Sequence, residues 1–223
     1  MLLLAVDTSG KQGSIALARG GPGEACEVIK TLSLNGGTFS AQLVPQISDL
    51  LHASDFSKGD IGGFVVVTGP GSFTGLRIGL AAIKALAEVL GKPIAAVSLL
   101  EALAISGHSP GRVMAVIDAG RKEVYVGEYE VGGVVRVIGE SLISRESWLD
   151  GVGDAVIVTP DQDIVTAAQQ KGLRVIQVER SPMDAIARLG WKRIVSGDIV
   201  SADVLEANYG RHSDAEIFVK SPS

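Results

Sequence analysis

Val65-Val66-Val67-Thr68-Gly69-Pro70-Gly71-Ser72-Phe73-Thr74-Gly75-Leu76-Arg77-Ile78-Gly79 is the stretch that decides how this chain folds. Residues 64–67 are a short, mostly β-branched run, the pattern of a buried strand. Residues 69–72 form a turn cluster. Thr74 is placed to cap a helix over 75–90, which stops at Gly91-Lys92-Pro93. Strand, glycine turn and helix N-terminus together suit an anion, because the first helical N–H groups lack intrahelical partners and the helix dipole adds positive charge there. Gly69, Gly71, Ser72, Thr74 and Gly75 are therefore candidate phosphate-proximal residues. The motif is a generic one. No Lys-Ser or Lys-Thr follows Gly75, and Gly69-x-Gly71-x-x ends at Thr74 instead of glycine. A tight strand-to-helix turn that needs glycine for backbone reasons accounts for the same residues.

The helix that follows is unusual in composition. From 75 to 90 its only charged positions are Arg77, Lys84 and Glu88. Every other position is Gly, Ala, Leu, Ile or Val. A helix apolar on nearly all sides is buried on nearly all sides. One face covers a sheet, and the other needs a second helix, a second subunit, or both. The preceding helical pattern carries Phe39, Leu43, Val44, Ile47, Leu50 and Leu51 at helical spacing, with Pro45 inside it as a kink or a late start. A partner face built from Phe39, Leu43, Ile47 and Leu50 on the first helix and Leu76, Arg77, Gly79, Leu80, Ile83 and Leu86 on the second is the expectation. Burial of all of these by the chain itself is the alternative.

Outward from this centre the elements alternate regularly. Strands are expected over 2–6, 14–18 and 24–34, with a polar turn at Asp7-Thr8-Ser9-Gly10-Lys11-Gln12-Gly13. Asp7 and Thr8 at the end of the first strand join the candidate phosphate-proximal set, although an Asx-turn explains Asp7 equally well. Residues 94–98 form a strand and a short helix follows through 105. Gly107-His108-Ser109-Pro110-Gly111 is the best boundary in the chain. The hairpin pattern then repeats over 112–118, 123–129 and 134–143. A helical turn, a strand over 155–159, a helix over 161–171 and a strand over 173–178 come next. Ser181-Pro182 starts a helix to 195, with Ser as cap, and Ser201 starts a last short helix. This order predicts an α/β protein of two ribonuclease H-like lobes in the actin-like ATPase arrangement. Residues 1–106 make the first lobe and 107–200 a smaller, degenerate second one, with 201–223 packing back on the first. Such folds place nucleotide between the lobes, but the fold alone assigns no function.

Composition narrows the chemistry. The chain has 223 residues, 46% hydrophobic and 20% charged, with a net charge of −5. That favours a well-buried globular protein and gives no basic face for direct nucleic-acid binding. The lone Cys26 cannot form an internal disulfide, as befits a reducing cytosol, and the apolar start at 2–6 is too short for a membrane span. A cytoplasmic protein is expected. His52, His108 and His212 share no local motif, and none pairs with a Cys at zinc spacing. Ser9 and Ser72 lack a nucleophile elbow. Asp118, Arg121, Glu123 and Tyr125 suit a cleft or an ordinary hairpin turn. No catalytic or metal-ligating constellation is complete.

The motifs carry a resemblance. Ala5-Val6-Asp7-Thr8-Ser9, the stretch from Gly69 to Gly79, Asp118-Ala119 with Glu123-Val124-Tyr125, and the later Tyr209-x-Arg211 with Asp214-Ala215-Glu216 resemble the TsaB (YeaZ) family over essentially the whole chain. The resemblance implies a part in bacterial synthesis of N6-threonylcarbamoyladenosine at position 37 of tRNAs that read ANN codons. It implies a non-catalytic scaffold that binds and activates the paralogue TsaD, with the ATPase TsaE joining that assembly and TsaC supplying the adenylate. It also implies a homodimer in isolation through the helices that dock TsaD, tRNA held only indirectly, and no membrane. No cofactor is required by the chain, while ATP or ADP is expected at the interface with TsaD. Two departures stand out: Phe39 where relatives carry His, and Gly120 between Ala119 and Arg121. An ATP-binding kinase or hydrolase using Asp7 and the glycine turn is the alternative reading. Peptidase activity of the M22 type has neither a nucleophile nor a metal set to support it.

Overall fold

A computed structural model describes residues 1–21, 23 and 25–208. Strands β1 (Leu2–Asp7), β2 (Gly13–Arg19) and β3 (Glu27–Leu34) lead into α1 (Phe39–His52), β4 (Ile61–Gly69), α2 (Phe73–Leu90), β5 (Ile94–Ser98) and α3 (Leu99–Ser106). The pattern then recurs as β6 (Gly111–Gly120), β7 (Glu123–Val131), β8 (Arg136–Ser144), α4 (Arg145–Gly151), β9 (Val156–Thr159), α5 (Gln162–Gln170), β10 (Val175–Gln177) and α6 (Met183–Ser196). The first sheet has the order β3-β2-β1-β4-β5 and the second β10-β9-β6-β7-β8. In each, a three-stranded antiparallel meander is extended by parallel strands, β4 and β5 beside β1, β9 and β10 beside β6. The two halves thus share one topology, as the element order predicts.

Burial explains the layers. β1 is buried along its whole length, as the unbroken apolar run Leu2–Val6 requires of a central strand covered on both faces. On one face, Leu2, Leu4, Val6, Phe64 and Val66 meet α1 and α2. On the other, Leu3, Ala5, Val65 and Val67 meet α3 and α6, and α3 also covers Val113, Ala115 and Ile117 of the second sheet. The outer face of that second sheet takes Trp148 of α4 with Ile164 and Ala168 of α5. The result is five layers, helices and sheets alternating, with one apolar core running through the middle one.

Three expectations change. Ser72, not Thr74, is the N-cap of α2, its hydroxyl accepting from Gly75 N at 3.3 Å; Thr74 is exposed within the first turn. α6, which follows the second sheet in sequence and was assigned to the 107–200 lobe, lies on the first sheet, because its buried Ile186, Ala187 and Leu189 belong to the core that holds Leu3, Val65 and Val97. Residues 201–208 form no helix. Val200 bridges to Ile94, Leu205 is buried against the α1/α2 side, and Asn208 N donates to Thr68 O at 2.8 Å. This part of 201–223 does return to the first sheet, while Tyr209, Arg211, His212 and the remaining tail lie outside the described residues. α1 runs unbroken through Pro45 from Phe39.

Candidate functional site

Several of the candidate phosphate-proximal residues come together, bonded to one another and to neighbouring serines of the chain. Asp7 ends β1 with only 1% of its surface exposed. Its Oδ1 accepts from Ser9 N at 2.9 Å and Ser9 Oγ at 2.6 Å, closing an Asx-turn. Its Oδ2 accepts from Ser181 Oγ at 2.6 Å, across 174 positions of sequence. Thr8 Oγ1 donates to Gly75 O at 2.8 Å, and Ser72 N donates to Ser9 O at 2.7 Å. The turn after β1 is thereby seated directly on the start of α2.

That seating explains the glycines. A Cβ on Gly71 would overlap the Ser9 carbonyl, and one on Gly75 the Thr8 carbonyl. A Cβ on Gly79 would overlap Thr8 Oγ1. These positions are glycine because a neighbouring stretch of the same chain fills the space beside them. Gly69, in contrast, has φ +136° and lies against the Asn208 carbonyl. Two N–H groups in the first turn of α2 are likewise used within the chain: Gly75 N bonds to Ser72 Oγ and Leu76 N to Ser72 O. The arrangement works as a joint that fixes the β1–β2 turn, α2 and the entry to α6. Sequence reasoning places Ser181 as a helix cap. Instead Pro182 holds the cap position and the Ser181 hydroxyl turns to Asp7. Ser9 and Ser181, both absent from the candidate set, complete the joint. Only an unsatisfied buried carboxylate would have pointed to them.

The residues expected at a partner face divide by burial. Phe39, Leu43, Ile47 and Leu50 of α1, and Leu76, Gly79, Leu80 and Ile83 of α2, are buried within their own chain. They are core, because the periodic apolar stripe of each helix is the stripe that the sheet and the other helix take. Leu86 is half-buried and Arg77 exposed. The outward faces carry a different set: Val44 is 53% exposed, Phe73 47% and Val89 82%. Ala41, Ala81 and Ala85 are exposed beside them. The Arg77 guanidinium lies 3.8 Å from the Phe73 ring centroid. A shallow cavity of about 300 Å³ lined by Arg77, Leu80, Ala81, Lys84, Leu205, Glu206 and Ala207 continues this surface onto the 205–207 segment.

In the second half, Asp118 ends in a short network. Its N–H donates to Asp161 Oδ2 at 2.7 Å, and Arg180 Nη1 lies 3.4 Å from Asp161 Oδ1. Gly120, Arg121 and Lys122 all have positive φ, and the β6–β7 register slips between Asp118 and Gly120. Gly120 pairs with Glu123 and Ala119 is left over, so the extra position is taken up as a bulge in the hairpin. His52 and His108 are exposed. Among the described residues no group of three or more His, Cys, Asp or Glu side chains could hold a metal ion. Burial raises the Cys26 thiol, Arg188 opposing. Burial also raises Glu101, against the attraction of Arg193, whose Nη2 sits 2.5 Å from Glu101 Oε2. No helix among the described residues is long and apolar enough to cross a membrane.

Comparison with known proteins follows the same lines. Residues 36–198 match the family model described as TsaD: tRNA N6-adenosine threonylcarbamoyltransferase. The tRNA threonylcarbamoyladenosine biosynthesis protein TsaB of Bacillus subtilis (strain 168) is 39% identical over 153 residues, 67% of this chain and 65% of that protein. Its namesake in Escherichia coli (strain K12) is 35% identical over 133 residues, 58% of this chain and 55% of that one. The match therefore spans less than two thirds of either relative. The solved structure of YeaZ from Pseudomonas aeruginosa superposes with a TM-score of 0.75 at 26% identity, covering 93% of this chain and 99% of that one. An activator of 2-hydroxyisocaproyl-CoA dehydratase from Clostridium difficile, solved with bound ADPNP, shares the fold at a TM-score of 0.55 and 11% identity, over 93% of this chain and 100% of that one. The family model, the two relatives and the YeaZ architecture agree with the motifs around Asp7 and Gly69: the chain belongs to the TsaB (YeaZ) family.

Proposed function

We propose that this protein takes part in synthesis of N6-threonylcarbamoyladenosine at position 37 of tRNAs reading ANN codons, as a non-catalytic cytoplasmic subunit that docks the transferase TsaD. The observation that carries the docking role is the outward face of α1 and α2, where Val44, Phe73 and Val89 stand in water beside the small Ala41, Ala81 and Ala85. Small side chains let a second helix pair approach closely, and the exposed apolar ones gain by being covered. The names of the relatives supply the pathway. In isolation the same face pairs two copies of the chain. TsaE joins through TsaD, tRNA is held by the assembly, and ATP or ADP belongs to the interface with TsaD. The joint around Asp7 supports this division of labour, since its polar groups serve the fold.

The test is to mix the purified chain with TsaD and measure the mass of the product. A one-to-one complex is expected, together with restored tRNA modification in cells depleted of the endogenous subunit. Separate elution of the two proteins with no restoration refutes the reading. Turnover of ATP by the isolated chain would favour a kinase or hydrolase instead.

A further inference from the structure

The β7–β8 hairpin tip packs Val131 and Val135 against the core between the sheets, and one carboxylate ties it to the first sheet by side-chain hydrogen bonds. β8 is the edge strand of the second sheet, and no residue in it is buried. Its leading half and the turn before it expose Val134 at 84%, Val137 at 51% and Ile138 at 52%. Glu140 follows, and its Oε1 accepts two short hydrogen bonds. One comes from Ser98 Oγ at 2.5 Å, at the end of β5 in the first sheet. The other comes from Tyr129 OH at 2.5 Å, on a ring that is fully buried between the sheets. Burial, and after it the facing Glu140 carboxylate, push the Tyr129 phenol upward, so it remains a donor at any ordinary pH. Immediately before the anchor the ladder slips between Glu128 and Tyr129, and Gly139 has open space beside it. A bulge followed by an uncovered glycine makes a natural swivel.

We propose that residues 132–140 form a flap that Glu140 straps to the first sheet through Ser98 and Tyr129, and that lifts away when the strap is released. The core between the sheets stays closed, because α3 touches both sheets, and opening of the flap takes only Val135 from its edge. Opening moves Val134, Val137 and Ile138 as a unit and uncovers the Tyr129 hydroxyl. Such low-stability elements are where local opening concentrates.

Amide hydrogen exchange of the full chain, read by mass spectrometry, tests this. Glu140→Ala should accelerate exchange in peptides spanning 131–142 by about tenfold or more, with 73–90 unchanged. Glu140→Gln keeps an acceptor oxygen and should stay within about threefold of the parent. Tyr129→Phe, which retains the buried ring, should give an intermediate acceleration and keeps the test open should Glu140→Ala fold poorly. Equal rates in Glu140→Ala and Glu140→Gln overturn the strap. So does an acceleration that is the same in 73–90 as in 131–142, and so does a Tyr129→Phe flap that exchanges like the parent.

Discussion

Replacing Asp7 should cost stability on a scale set by its three hydrogen bonds. The carboxylate is buried and accepts from Ser9 N, Ser9 Oγ and Ser181 Oγ. A hydrogen bond to a charged group contributes about 1.5–3 kcal/mol net, and a buried donor left unpaired costs about 1–3 kcal/mol. Ser9 is itself buried, but its hydroxyl can rotate to another acceptor more readily than its amide, so Asp7→Ala should lose on the order of 4 kcal/mol. Ser181→Ala removes one of the three and should lose about 1.5–3 kcal/mol. The two lesions share a partner, so the double variant should fall short of their sum by about 1.5–3 kcal/mol. Asp7→Asn keeps an accepting oxygen, and its amide can donate to the Ser181 hydroxyl; about 1 kcal/mol is expected. Urea unfolding of the parent and the four variants at neutral pH measures all of this. An Asp7→Ala variant within 1 kcal/mol of the parent, roughly the worth of one neutral hydrogen bond, or strict additivity with Ser181→Ala, refutes the reasoning that Asp7 is a structural joint.

Three further outcomes follow from the same geometry. Gly75→Ala should lower the urea midpoint by the equivalent of about 1–3 kcal/mol, because the added methyl meets the Thr8 carbonyl and neither backbone can yield freely. Val89→Asp, on an exposed site, should leave stability within about 0.5 kcal/mol while weakening capture of TsaD on a size-exclusion column; Leu80→Asp, at a buried site, should unfold the protein and so cannot report on docking. Glu101 has a folded pKa raised above its ordinary value of 4.5, so the native state holds more proton than the unfolded chain between 4.5 and the raised value. Its contribution to stability therefore declines as pH rises through that window and is recovered on acidification. Comparing urea midpoints across the window for the parent and Glu101→Gln should show a less negative pH slope in the variant; identical slopes would remove Glu101 from the account.

The residues Phe39, Leu43, Ile47, Leu80 and Ile83 stand out in the sequence because they are apolar and periodic, and those same properties put them inside. A surface that meets a partner is marked by the residues left over: Val44, Phe73 and Val89, with alanines between. They follow the same helical spacing, Phe73, Ala81, Ala85 and Val89 lying four or eight positions apart. Only the direction in which each helix lies on the sheet separates the two sets. The glycine turn makes the same point at shorter range. Its pattern is common to a phosphate cradle and to a close backbone crossing, and the Thr8 and Ser9 carbonyls decide between them.

Local chemistry was enough for the element order, the repeated meander in each half, the buried central strands and the turn at 107–111, because hydrophobic period and turn residues act over a few positions. The motifs around Asp7 and Gly69 were enough for the family. What needed the tertiary structure was every relation between distant segments. The bond from Ser181 to Asp7, the bond from Arg193 of α6 to Ala96 of the first sheet and the strap from Glu140 to Ser98 join residues 174, 97 and 42 positions apart. No period or spacing encodes such pairs. They exist because burying a polar group obliges it to find whichever partner the packed elements bring within reach.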